Sequence, residues 1–372
     1  STIYITQPVL PVLRAEFGVS ASKASLTISA VILGIALANL PFGMLVDRYP
    51  IRPIILLGGS VIAACGLFCA TATDLRLLIG ARFVQGLFVP SLTTCLVVHL
   101  VRSLPAERLN VVTGSYVSAT VVGGLGGRLL GGGIHPPLHW RYAFVTASAL
   151  LLAATLAAAH WLPKDEGRRE SQKEEPAGFA ALLRRPDLLR MFLVAFGAFF
   201  VFSSVFNYLP FYLAAPPFRA STQVITLTYL SYLVGAFTGP AAGKLSNRIG
   251  NGATMALGSA AFALAIAATF IPSLPVIAAS LAGVCAGFFA IHSAAAGSLN
   301  LRLSSGRGRA NSVYVLFYYI GGSIGITASG LAYHLAGWHG VGALGILVLA
   351  LPFATGVFEM RTGKHAGGNV VD

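Results

Sequence analysis

GMLVDRYPIRP, Gly43 to Pro53, is a short polar turn set between two long apolar runs, and it has an echo in GKLSNRIGNGA, Gly243 to Ala253. Aligned, Gly43 meets Gly243, Leu45 meets Leu245, Asp47 meets Asn247 and Arg48 meets Arg248. A charged turn recurring at the same depth of two hydrophobic halves points to a duplicated membrane protein rather than a soluble enzyme.

Composition agrees. Of 372 residues 56% are hydrophobic and 10% charged, with a mean hydropathy of +0.78, whereas soluble domains carry about 25% charged residues. Apolar stretches of about 20 residues with few charges are membrane-span candidates. They fall at 25–46, 54–73, 75–100, 109–133, 141–162, 188–213, 222–243, 252–271, 275–300, 310–336 and 341–359, and a shorter run precedes Arg14. Counted in chain order these make twelve spans, and the expected fold is an all-α membrane protein of two pseudosymmetric six-helix bundles. At about 1.5 Å of rise per residue the first run is too short to cross a bilayer, and it lacks the basic start and cleavage site of a signal peptide. The expectation is that helix 1 is truncated at its start and that the natural chain begins earlier.

The net charge of +13 raises nucleic acid as a partner, but its distribution argues otherwise. With the Gly43–Pro53 turn on the cytoplasmic side, that side carries Arg48, Arg52, Arg102, Arg108, Lys164, Arg168, Arg169, Lys173, Arg184, Arg185, Arg190, Lys244, Arg248, Arg302, Arg307, Arg309, Arg361 and Lys364. The opposite side carries Arg14, Lys23, Arg76, Arg141 and Arg219. This asymmetry is that of a multi-pass protein of a bacterial cytoplasmic membrane with both termini inside; lipid is the expected surrounding and nucleic acid is not a partner. Cys65, Cys69, Cys95 and Cys285 all lie in apolar runs without metal-ligand spacing, so no metal is expected.

The longest polar stretch, 163–187, mixes both signs with Gly and Pro and reads as a cytoplasmic linker. It divides the chain into an N-terminal bundle, 1–162, and a C-terminal bundle, 188–372. Glycines recur every fourth residue in span 5 (Gly123, Gly127, Gly131), in span 8 (Gly235, Gly239, Gly243) and in span 11 (Gly321, Gly325). Spacing of this kind places them on one helix face and permits close backbone approach. The expectation is that spans 5 and 8, and spans 2 and 11, form the seams between bundles; tight packing inside one bundle is the other reading.

These motifs resemble the major facilitator superfamily, and in particular its bacterial drug:proton antiporter branch with YnfM-like and AraJ-like members. Gly43, Asp47, Arg48 and Arg52 match the family's signature turn between spans 2 and 3, with Pro50 where Gly is usual. In span 4, RFVQG offers Arg82, Gln85 and Gly86, similar to an Arg-x-x-Gln-Gly pattern, and VVGGLGGRLLGGG in span 5 resembles the antiporter signature without its Gly-Pro pair. FFAIHSAAAG and VYVLFYYIGGSIG resemble the YnfM-like subgroup. The resemblance implies a monomeric carrier working by alternating access, with spans 1, 4, 7 and 10 lining the cavity. Asp47 is then a latch at the cytoplasmic end of span 2, pairing with Arg48, Arg52 or the start of span 11.

All twelve acidic residues lie in loops or at span ends. The ionisable groups left inside spans are Arg82, Arg128 and His292, and such groups default to functional hypotheses. Histidine has an unperturbed pKa of about 6.5, so His292 is the expected proton or substrate contact, with Asp47 and Glu16 as alternative proton carriers; Arg82 is expected in coupling by resemblance, and Arg128 has a structural role as its alternative. The expected cavity wall combines Tyr4, Gln7, Phe202, Phe206, Asn207, Tyr208, Tyr229, Tyr232, His292, Tyr314, Phe317, Tyr318 and Tyr319, suited to planar or amphipathic ligands. No phosphate-binding loop is present and no cofactor is expected. The reading is a secondary transporter, not an enzyme, exporting a small organic compound or drug in exchange for protons. Its alternative is a proton-independent facilitator or importer of a small anionic or neutral metabolite.

Overall fold

The structure, a computed structural model, describes residues 2–46, 48–103, 106–162, 179–303 and 307–366. Among them no strand occurs, and the chain runs as α1 (Leu10–Glu16), α2 (Ala21–Leu45), α3 (Ile51–Thr71), α4 (Leu75–Leu92), α5 (Thr94–Ser103), α6 (Ala106–Ile134), α7 (Arg141–Trp161), α8 (Phe179–Arg184), α9 (Pro186–Ala214), α10 (Thr222–Thr228), α11 (Tyr232–Ile249), α12 (Asn251–Ala268), α13 (Leu274–Leu301) and α14 (Arg307–Ala366). Span 4 is α4 with the start of α5, and span 8 is α10 and α11 joined by a 3₁₀ turn at Tyr229–Ser231. Spans 11 and 12 make up α14, which breaks where Ala336 and Gly337 leave helical geometry, Gly337 at φ 58°. The first run is a series of turns leading into the two turns of α1.

Local chemistry explains the boundaries. Ser20 caps α2 by accepting from the Lys23 amide at 3.2 Å, and Asp74 Oδ1 accepts from the Arg76 amide at 2.6 Å to start α4. Gly250, at φ 88°, lets α11 reverse into α12 with a single intervening residue, a backbone conformation that a side chain would strain. Prolines inside α2, α4, α9, α11 and α14 are tolerated, as in other membrane helices. Nine helical stretches of the described residues are long and apolar enough to cross a membrane. Their outer faces present Leu57, Phe237, Leu264, Leu347 and Trp161, an apolar surface of the kind a bilayer solvates.

Packing groups the chain into two units, Ser1–Lys173 with Leu213–Tyr229, and Glu174–Tyr212 with Leu230–Asp372. In the first, α2 packs on α4, α3 on α4 and α7, α1 on α2, and α10 on α6; in the second, α12 packs on α13 and α14, and α11 on α13. The segment Leu213–Tyr229 groups with the first unit, a grouping that the linear division at 163–187 does not anticipate.

The glycine faces meet neighbours within their own units. A Cβ on Gly235 would lie 2.1 Å from the ring of Phe289 on α13, and Gly239 faces Ser293 of the same helix. Those on Gly321 and Gly325 would lie 2.2 and 2.4 Å from the main-chain oxygens of Phe196 and Phe200 on α9, and that on Gly131 1.9 Å from the Ile5 oxygen. All these neighbours belong to the glycine's own unit, so these close approaches are packing inside a unit; spans 5 and 8 nevertheless meet as expected, where α10 at the start of span 8 packs on α6. Gly243 has open space, Gly127 is buried and Gly123 half-buried.

Candidate functional site

The signature turn is anchored by a buried cluster of Val46, Ile51, Ile54, Ile55 and Cys95, with Phe42, Leu45 and Leu92 against it. Gly43 closes α2 with no atom near its missing Cβ, Arg48 is exposed and Arg52 half-buried at the start of α3. Asp47, the expected latch, lies outside the described residues.

Arg82 on α4 is fully buried. Its Nε donates to the Thr27 oxygen at 3.1 Å, Nη1 to the Thr2 oxygen at 2.9 Å and to Gln85 Oε1 at 2.5 Å, and Nη2 to the Ile3 oxygen. Gln85 in turn donates to the Ile62 oxygen of α3 at 2.9 Å. Gly86 completes the motif: its Cβ position would lie 2.2 Å from the Val31 oxygen, while that of Gly34 across the contact would lie 2.6 Å from the Phe83 oxygen. RFVQG is therefore a knot tying α4 to α2, to α3 and to the turns before α1. Arg82, Gln85 and Gly86 hold this unit together.

Arg128 on α6 is in a different setting. Also buried, it donates from Nε to Gln7 Oε1 at 2.7 Å and from Nη1 to the Gly124 oxygen at 2.8 Å. Its guanidinium carbon lies 3.9 Å from the Tyr4 ring centre and 5.4 Å from that of Tyr229, which is itself fully buried. Three of the expected wall residues, Tyr4, Gln7 and Tyr229, thus converge on one buried cation. Gly132 contributes by its missing side chain, since a Cβ there would strike Thr226 Oγ1 at 1.8 Å and Pro8 at 2.9 Å.

The second unit holds an aromatic cluster around His292 on α13. His292 Nδ1 is 3.0 Å from the Tyr314 hydroxyl, which also reaches the His292 carbonyl oxygen at 3.4 Å. The rings of Tyr318, Tyr314 and Phe288 lie at 5.4, 5.5 and 5.9 Å. Tyr318 stacks on Phe199 at 3.7 Å, and Phe202 stacks on Phe288 at 3.9 Å and meets Phe206 and Tyr232 at 4.9 and 5.3 Å. Phe199 and Phe288, which cement this cluster, escape sequence reasoning because phenylalanine inside an apolar run carries no signal. Asn207 is fully buried on α9. Tyr208 corrects the expected wall: its hydroxyl donates to the Ile326 oxygen at 2.9 Å and its ring packs on Tyr333, joining α9 to α14.

Two ion-pair groups also escape a reading that assigned the charges to topology. Glu359, near the end of α14, accepts from Arg190 at 3.3 Å and from Arg302, whose Nη1 also donates to the Asp187 oxygen at 2.7 Å. Glu16, ending α1, accepts from Trp140 Nε1 and from Arg141 Nη1 at 2.5 Å, with His139 Nε2 at 3.6 Å. Partial burial raises the Glu16 pKa, but the hydrogen bonds from Trp140 and Arg141 and the charges of Arg141 and His139 outweigh it and hold the carboxyl below its ordinary 4.5. Among the described residues no His, Cys, Asp and Glu cluster is fit for a metal ion.

The sequence profile of the Major Facilitator Superfamily matches residues 1–289 and 218–367. The inner membrane transport protein YnfM of Escherichia coli (strain K12) is 29% identical over 367 residues, covering 98% of this chain and 88% of its own. The MFS-type transporter YybF of Bacillus subtilis (strain 168), described as uncharacterized, is 26% identical over 358 residues, covering 94% and 87%. Among solved structures, a bacterial homolog of the human lysosomal transporter Spinster superposes with a TM-score of 0.73 at 18% identity, over 96% of this chain and 89% of that one. With its all-helical architecture and apolar spans, the chain belongs to the Major Facilitator Superfamily, as a multi-pass inner-membrane transporter and not an enzyme.

Proposed function

We propose that the protein exports a small organic compound in exchange for protons, by alternating access of two bundles, as a monomer with both termini in the cytoplasm. The observation that carries this reading is His292. It is a titratable ring within a span, hydrogen-bonded to Tyr314 and faced by Phe288 and Tyr318, in a chain with no mid-span acid. A proton taken up there and a substrate held by neighbouring rings bias the same two-state element, which is the linkage that antiport needs. Asp47 serves as the cytoplasmic latch in this scheme.

The test is proton movement in proteoliposomes with an internal pH dye and an imposed gradient, challenged with organic acids, amino acids, sugars and cationic dyes. Substrate-triggered proton flux is expected, and His292→Gln is expected to keep substrate equilibration while losing the proton response. Intact proton dependence in His292→Gln removes the carrier role from this residue.

A second reading, a facilitator or importer without proton coupling, draws on the same acids. Glu16, Asp74, Asp187 and Glu359 all sit at span ends, tied to Arg141, to the Arg76 amide, to Arg185, and to Arg190 and Arg302. Substrate equilibration without proton flux in the unmodified protein favours it.

A further inference from the structure

At one end of the second unit α12 begins where α13 and α14 end, and a cleft of about 660 Å³ lies among them. Ser298, Leu301 and Arg302 line it from α13, and Val357, Met360 and Arg361 from α14. Each set is spaced i, i+3, i+4, which places it on one helix face. The third wall is the first turn of α12, from Asn251 to Ala253. Gly252 seats that turn on α14, since a Cβ there would lie 2.8 Å from the Gly356 oxygen and 2.9 Å from the Met360 amide nitrogen.

The cleft holds unused donors. Gly250, the residue before α12, has no side chain with which to cap it, so the amides of Asn251, Gly252 and Ala253 meet no acceptor among the described residues. Ser298 is 5% exposed and shares the helix face of Arg302, yet its hydroxyl meets no hydrogen-bond partner among the described residues. Other buried serines of this unit close on their own helix: Ser259 and Ser280 donate to the carbonyl four residues back, each at 2.7 Å. Charge has the same sign as the amides. Arg302 and Arg361 line the cleft with one carboxylate, Glu359, which is also held by Arg190 from outside it. Arg302 donates to the Asp187 oxygen and to Glu359 and keeps further donors of the five on its fork. Arg361 is exposed and has no ion pair among the described residues. Free amides at a helix start, a hydroxyl and guanidinium groups around one space suit a tetrahedral oxyanion.

We propose that this cleft binds the phosphate of a phosphorylated organic molecule. The α12 amides and the Ser298 hydroxyl donate to its oxygens, and Arg361 and the remaining donors of Arg302 pair with its charge. The carbon portion lies against Leu301, Val357 and Met360. Two sources carry this chemistry, the headgroup of a phospholipid in the adjacent leaflet and a soluble phosphate ester. Bound there, the phosphate ties the start of span 9 to the ends of spans 10 and 12. The inference goes beyond transport and depends on neither its cargo nor its coupling.

The test is the thermal midpoint of the purified full chain in a neutral detergent, titrated with two matched pairs. One pair is phosphatidylglycerol and diacylglycerol of the same acyl chains; the other is glycerol 3-phosphate and glycerol. A ligand that binds only the folded state raises the midpoint as its concentration grows. At least one phosphate is expected to act at a concentration about tenfold or more below that of its phosphate-free counterpart. A response confined to the lipid pair identifies the headgroup as the source, and a response to the soluble pair shows that the ester binds without a bilayer anchor. Arg361→Gln is expected to raise the half-maximal concentration about tenfold, and Ser298→Ala to raise it without any change of charge. Arg184→Gln, the same loss of charge at an exposed position on α8, is expected to leave it unchanged. If neither phosphate outbinds its counterpart in the unmodified protein, the inference fails. It fails equally if Arg361→Gln weakens binding no more than Arg184→Gln does.

Discussion

Arg82 and Arg128 were both legible in the sequence as charges inside apolar runs, and nothing in their local sequence separates their roles. The separation comes from what surrounds each: main-chain oxygens and Gln85 around Arg82, and Gln7, Gly124 and two tyrosine rings around Arg128. His292 was legible for the same reason, while its partner Tyr314 was only one tyrosine of several. Glu16, legible in the sequence only as an acid at a span end, clasps the end of α1 to the start of α7 through Trp140 and Arg141. Its carboxyl pKa is held below the unfolded value, so the stability it contributes is present above about pH 4.5 and lost as pH falls through the folded value. With the Glu16 side chain 28% exposed, solvent screening keeps this modest, about 1 kcal/mol or less. Glu16→Gln is expected to lower the thermal midpoint slightly at pH 7, with the gap to the unmodified protein closing in more acidic buffer. A gap that widens below pH 4.5 contradicts this assignment.

Elements meet through glycine, and the consequence depends on which face each helix turns to which neighbour. Gly34 and Gly86 let the backbones of α2 and α4 approach until a Cβ on either would lie within 2.6 Å of a main-chain oxygen. Backbone cannot step aside as a side-chain tip does, so Gly86→Val is expected to destabilise by about 1–3 kcal/mol or more. Gly43, with open space around its Cβ position, is the control: Gly43→Ala is expected within about 0.5 kcal/mol of the unmodified protein. Thermal unfolding in detergent, followed by tryptophan fluorescence, compares the two; equal loss at both positions refutes the close-approach argument. The four-residue period showed that Gly235 and Gly239, and Gly321 and Gly325, share faces. It carried no information on the neighbour, which proved to be α13 for the first pair and α9 for the second.

At the scale of the whole molecule the positive charges divide by side, and the proposed orientation follows from that division. Asn247 and Ile271, both exposed, flank α12 and fall on opposite sides in this scheme. The native cysteines lie in apolar spans, and Cys69, Cys95 and Cys285 are buried, so single introduced cysteines give a clean readout. A membrane-impermeant maleimide added to intact cells is expected to label Ile271→Cys and leave Asn247→Cys unmodified; the opposite pattern inverts the topology. Membrane class, span order, the repeated turn and the family were all determined by amino-acid order alone. Hydrophobicity sums along a continuous stretch, and the signature turn is a contiguous motif, so neither needs the fold to be seen. Only the tertiary structure decided that RFVQG is a knot, that the glycine faces pack within units, and that Tyr4, Gln7 and Tyr229 meet at Arg128. Those facts depend on the rotation of each helix about its axis and on pairings between residues distant in the chain. Nearly uniform hydrophobicity around a membrane helix leaves that rotation unmarked, and shape and hydrogen bonding between neighbours set it instead.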